Sequence, residues 1–99
     1  MTDIIFAIPG NIDLPTGGYA YDRRLLGLLP TFGLKVEHVA LPGTFPAPSA
    51  DDLEGTAQLL AKAAPGAPVL IDGLAFGAMP AEMIRALDRR IIALVHHPL

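Results

Sequence analysis

Residues 3–26 read DIIFAIPGNIDLPTGGYAYDRRLL, and the order of signals in this stretch decides the fold. The run DIIFAIP is short, continuously apolar and stopped by Pro-Gly, as in a strand buried on both faces of a parallel sheet. From Tyr19 onward Tyr21, Leu25, Leu28 and Phe32 recur at helical spacing, supported by Leu26 and Leu29. Between the two periods lie Pro9, Gly10, Pro15, Gly17 and Gly18. So many turn formers at one strand-to-helix junction mark a tight turn or a place where backbone N–H groups approach a ligand. Thr16 suits the N-cap of the helix and Gly33 its C′ position. Pro30 has no N–H to offer the carbonyl of Leu26, so the last turn is expected to be distorted or already ended.

Working outward, KVEHVALP (35–42) reads as a second strand. GTFPAPSA is a loop, and Ser49 followed three residues later by Asp52 fits a capping box. The helix behind it offers Leu53, Ala57, Leu60 and Ala64 as its buried stripe. APGAP breaks it, and VLIDGL (69–74) is a third buried strand. Pro80 opens a helix running to about Leu87 that buries Met83, Ile84 and Leu87. RIIALVHHPL supplies a fourth strand. The order β-α-β-α-β-α-β with short connections predicts a single α/β domain over 1–99. The expected form is a three-layer Rossmann-like half domain, with a four-stranded parallel sheet and helices on both faces. Right-handed crossovers then require the sheet to reverse direction once.

The totals agree with one small domain. Ninety-nine residues bury only about 60–65% of the unfolded surface. Yet 52% of the residues are hydrophobic and mean hydropathy is +0.45. A chain this short needs a polar skin, so the excess points to apolar surface meant for something outside the 99 residues. The final strand IIALV is as apolar as a central one, whereas edge strands are commonly blunted with charge. The expectation is a truncated N-terminal part of something larger, with the 91–95 strand edge open to homo-oligomer formation. A net charge of −3 carries no nucleic-acid footprint. No cysteine is present, which excludes disulfides, a thiolate nucleophile and cysteine-ligated zinc. The opening MTDIIFAIPG lacks the basic start of a signal peptide, and no apolar run approaches the roughly 18 residues of a membrane span. A cytoplasmic location is expected.

Ligands of open parallel sheets bind beyond the carboxyl ends of the strands, at the reversal point. The glycine junction, DGLAFG and HHPL all fall at such ends. Gly17 and Gly18 open the first helix, where free N–H groups and the positive dipole end favour phosphate and a Cβ would hold it away. Neither G-x-G-x-x-G nor a P-loop occurs. His96 and His97 are adjacent on a strand, so they point to opposite faces and are poorly placed to share a metal ion. His38, inside strand two, reads as structural. Asp51 and Asp52 fit the first turn of a helix, as cap and dipole complement. Asp13 suits either a sugar hydroxyl or its own turn, and Asp72 suits a cap for the next segment.

Taken together, PGNIDLPTGGYAYDRRLL, VEHVALPGTFPAPS, VLIDGLAFGAMP and IIALVHHPL, in that order, resemble the N-terminal domain of the group 1 glycosyltransferases. These are retaining enzymes of the two-domain GT-B fold. The resemblance covers essentially the whole chain and favours ligand approach at the glycine junction. It implies a nucleotide-sugar donor held mainly by a C-terminal Rossmann-like domain, an acceptor on the N-terminal one, and transfer in the cleft between them. Gly17 and Gly18 match the family's glycine loop beside the donor diphosphate. With Tyr19 and Asp13 they form the candidate donor-phosphate and substrate contacts. His96 matches the histidine that contacts the transferred sugar and is the candidate catalytic residue; His97 matches less well. No metal and no cofactor are implied beyond the donor as co-substrate.

The C-terminal domain of that family, with its basic residues on the leaving diphosphate and its E-x7-E motif, is absent from these 99 residues. Stabilising that leaving group is the largest catalytic contribution such a site makes, so the chain is expected to be inactive alone. One strand usual to the family, after VALP, is shortened or lost here, leaving an expected strand order of 2-1-3-4. The alternative is a small Rossmann-like module that binds a phosphorylated ligand without chemistry.

Overall fold

A computed structural model describes residues 1–10, 17–45 and 47–95, with residues 17–21 as backbone alone. Four strands, β1 (Ile4–Pro9), β2 (Val36–Leu41), β3 (Val69–Asp72) and β4 (Ile91–Leu94), form one sheet in the order β2-β1-β3-β4. Every pairing is parallel. Helix α1 (Gly17–Leu28) links β1 to β2, α2 (Ala50–Lys62) links β2 to β3, and α3 (Gly73–Gly77) and α4 (Ala81–Leu87) link β3 to β4. The protein is an α/β, Rossmann-like half domain, and the strand order is the expected 2-1-3-4.

β1 carries the core. Ile5, Phe6, Ala7 and Ile8 are each fully buried, as a strand flanked by neighbours and covered on both faces must be. Alternation sends Ile5 and Ala7 to one face. There they join Val39, Leu41, Val69, Ile71 and, from the covering elements, Leu60, Ala75 and Met79. Phe6 and Ile8 point to the other face. The chain returns to β2 through α1 and from β2 through α2, in opposite directions along the sheet. With right-handed crossovers α1 therefore covers the Phe6 face and α2 the Ile5 face. Three layers result.

Local signals explain where the elements stop. α1 passes at Leu29 into a 3-10 turn, Leu29–Phe32, that contains Pro30, so the proline tightens the expected last turn. Gly33, at φ 83°, closes it by donating to the Pro30 carbonyl. Thr16, the expected N-cap, lies outside the described residues. The capping box of α2 is formed: Ser49 Oγ accepts from Asp52 N at 3.1 Å and Asp52 Oδ2 from Ser49 N at 3.0 Å. The buried stripe of α2 is rotated slightly from the expected one. Thr56 and Leu60 are its buried residues, while Ala57 is half-buried beside a groove toward α4. Thr56 is accommodated because its hydroxyl donates to the Asp52 carbonyl at 2.7 Å. β3 ends two residues early, since Gly73 and Leu74 begin α3, a helix too short to show a hydrophobic period.

At the other end of α2, Arg89 reaches across from the turn after α4. Its guanidinium donates to the carbonyls of Ala63 and Ala64 at 2.6 and 3.0 Å, satisfying acceptors that a helix end leaves open. None of the described helices is long and apolar enough to cross a membrane.

The Asp52 carboxylate also accepts from Thr44 Oγ1 at 2.7 Å. Bonds from Thr44 and Ser49 hold its pKa below the ordinary 3.8. A carboxylate depressed by folding adds stability that is present above its unfolded pKa and lost as pH falls through the folded one. Asp52→Asn is expected to lower stability at neutral pH and to flatten the acid limb of a stability–pH curve below about pH 4. Ser49→Ala should cost about 1 kcal/mol, both measured by urea unfolding.

Candidate functional site

The reversal point follows from connectivity. From β1 the chain moves outward to β2, then recrosses to β3 on the other side of β1. The carboxyl ends of β1 and β3 therefore border the crevice where open α/β sheets take ligands. Register sets the height of this edge. Ala7 pairs with Ile71, and Ile71 with Ala93, so Ala7, Ile71 and Ala93 stand level across three strands. Two steps further along come Pro9, Gly73 and Val95.

Each strand leaves this edge differently. After Pro9, Gly10 N donates to the Leu41 carbonyl at 2.9 Å, tying the exit of β1 to the end of β2. After β3, Asp72 is 3% exposed and its Oδ1 accepts from Leu74 N at 2.9 Å. It caps α3, the role expected of it. The next residue, Gly73, lies against β4. A Cβ built there would stand 2.8 Å from the Leu94 carbonyl oxygen, a contact real side chains do not make. This close approach carries no sequence signal beyond a glycine after a strand.

α1 begins at Gly17, with Gly18 second and Tyr19 third. Both glycines therefore occupy the first turn, whose N–H groups have no acceptor within the helix and which carries the positive end of its dipole. Asp13 and His96 lie outside the described residues, as do His97 and the Tyr19 side chain. Of the five candidate contacts, Gly17 and Gly18 are thus located at the start of α1 and Tyr19 by its backbone. Val95, one residue before His96, follows β4 beside the Gly73 contact.

Asp22 is the residue the sequence reading missed. It is fully buried although its side chain is a carboxyl group. Its only sequence signal is spacing: Leu25 and Leu26 follow at three and four residues and Gly18 precedes by four, all on one side of α1. Asp72 shares the parity of Leu70, which pairs with Phe6, so it too lies on the sheet face that α1 covers. The α1 side therefore holds two buried carboxyl groups.

His38, read as structural, is exposed on β2. Asp51 and Asp52 stand in the first turn of α2. Among the described residues no group of three or more His, Asp or Glu is placed to hold a metal ion. What this edge offers chemically is a helix N-terminus opened by two glycines, next to strand ends without bulky side chains at Gly10 and Gly73.

No family model, no curated protein and no solved structure matches the chain.

The Gly73 contact has a measurable consequence. Gly73→Ala should destabilise by about 1–3 kcal/mol, because backbone on both sides must give way. Gly77→Ala, four residues on, meets open space and should be neutral or stabilise by about 0.4–1 kcal/mol. Urea denaturation of the two variants compares them directly.

Proposed function

We propose that residues 1–99 are the N-terminal, acceptor-side half of a two-domain retaining glycosyltransferase of the cytoplasm. It would transfer a sugar from a nucleotide-sugar donor to an acceptor hydroxyl. One observation carries the reading: the parallel sheet reverses between β1 and β3, and the helix that leaves this edge opens on Gly17-Gly18. The order of sequence signals resembling group 1 glycosyltransferases supports it.

In this reading the N–H groups at Gly17 and Gly18 approach the donor diphosphate, where the helix N-terminus favours negative charge and the missing Cβ atoms permit contact. Asp13 and Tyr19 take part in substrate binding. His96 touches the transferred sugar. Transfer requires charge stabilisation on the leaving diphosphate, and its donors belong to a C-terminal domain outside these 99 residues. No metal takes part. A half site binds weakly and does not turn over.

The same reading gives the edge of the sheet a purpose. On β4, Ile92 is 46% exposed, and Val95 just beyond it is 73% exposed. That edge is where the next strand of a longer sheet pairs. In the isolated chain it is open to a second copy, as exposed edges are.

The test is made on a longer chain that includes the downstream reading frame. It is expected to contain a second Rossmann-like domain with two glutamates eight residues apart. With its preferred nucleotide sugar, His96→Ala should lower kcat by about 10²–10³, and Gly18→Val should raise KM for the donor. Turnover by residues 1–99 alone would overturn the split site. Binding of a phosphorylated ligand without transfer by the longer chain would favour a binding module instead. Leu94→Lys, or the milder Ile92→Lys, should weaken self-association of the 1–99 chain through β4, as read by light scattering.

A further inference from the structure

A continuous groove runs between α2 and α4, on the side of these helices away from the glycine junction. Its upper part is bordered by Leu53, Glu54, Ala57, Pro80, Glu82 and Met83. The middle shares Glu54, Ala57 and Met83 with that part and adds Ala61, Ala86 and Leu87, around a cavity of about 400 Å³. The lower part shares Ala61, Ala86 and Leu87 and opens, about 570 Å³ in volume, toward Asp88, Arg89 and Arg90. The floor is apolar in the upper and middle parts and more polar in the lower one. Met83 and Leu87 pack partly against the core, and Ala57, Ala61 and Ala86 are too small to fill the channel.

The ends of the groove differ in charge. α2 and α4 both start at the carboxyl edge of the sheet and run down to its amino edge, because each leads into a parallel strand. The upper end therefore carries Asp51, Asp52 and Glu82 in the first turns, with Glu54 on the rim. At the lower end Lys62 and Arg85 stand in the last turns of the two helices and Arg90 lines the groove, while the Arg89 guanidinium is bonded to the Ala63 and Ala64 carbonyls. Asp88 is the acid that lines that end, and Glu37 lies close by, accepting from Ala64 N at 3.4 Å.

We propose that this face is a two-fold interface with a second copy of the chain. A two-fold axis across the middle of the groove turns it end for end. The Glu54–Glu82 rim of one copy then meets the Arg90 end of the other, twice over. An isologous contact requires this kind of self-complementarity, and an acid-to-base gradient along one groove supplies it. Small residues at Ala57, Ala61 and Ala86 let the helices approach to the 8–10 Å of packed helices, so four helices close over Met83 and Leu87 from both copies. α2, with 13 residues, is about 20 Å long. The contact therefore sits at the small end of stable interfaces, and the dimer is expected to depend on concentration and salt.

This inference does not rest on the proposed activity. Sedimentation velocity is run on the 1–99 chain carrying Ile92→Lys, which disfavours pairing through β4. A monomer–dimer equilibrium is expected, weakened by added salt. Ala61→Arg should raise the dissociation constant about tenfold or more, the effect of some 1.4 kcal/mol, while the unfolding midpoint at monomeric dilution stays unchanged. Glu54→Lys and Arg90→Glu should each weaken the dimer, and together restore it. A strict monomer in the Ile92→Lys chain at every concentration would overturn the interface. So would association that Ala61→Arg leaves intact, as would a double reversal that recovers nothing.

Discussion

The structure depends on one strand. Among the described residues β1 is the most completely enclosed strand: β2 and β3 pair along its two edges, and helices cover its two faces. Ile5, Phe6, Ala7 and Ile8 have no exposure left. Each of the three large side chains contributes about 1.5–3 kcal/mol through burial. That burial is available only if the chain departs from β1 to one side and returns on the other. The reversal of direction, and with it the crevice at the carboxyl edge, follows from centring the sheet on this strand.

Much of this was legible because the residues are locally consistent. An unbroken apolar run bounded by Pro-Gly reads as a strand buried on two faces, and VLID repeats the signal. The Ser49–Asp52 box starts α2 where it should, and Gly33 ends the turn after α1. The misses have physical causes. α3 is five residues long, less than two turns, so no hydrophobic period announces it, and the strand before it ends two residues short of the expected 69–74. Thr56 took a buried place expected of Ala57 because its hydroxyl returns to the backbone of its own helix. Asp22 is buried against the usual behaviour of a carboxylate, and a hydropathy pattern reads it as surface.

The site was less legible than the fold. A parallel sheet states where ligands gather without stating what they are, since function resides in side chains grafted on a common frame. Gly17 and Gly18 carry a positional argument, because they stand in the first turn of a twelve-residue helix. Gly73 shows how a glycine can have a purely steric purpose at the same edge: its backbone faces a carbonyl at a distance no Cβ tolerates. The glycines that open α1 and the glycine after β3 look alike in the sequence. Only contact geometry separates them.

The excess hydropathy of the chain finds its place in two surfaces at right angles to each other in function. At β4 no strand pairs along the outer side among the described residues, so its natural partner is another strand, and directionality comes from hydrogen bonds. In the α2–α4 groove every helix has its own hydrogen bonds, so its natural partner is another helical face, and directionality comes from charge. The acids at the start of α2 and α4 and the bases at their ends complement the helix dipoles, and that would be reason enough for them in either helix alone. Because both helices run the same way beside one another, the two gradients add instead of cancelling. Parallel βαβ connection imposes that alignment, so a polarised groove is a consequence of the same topology that makes the crevice. The reversal that opens a crevice at one end of the sheet thus also gives the helical layer beside it a polarity that a copy of itself can read.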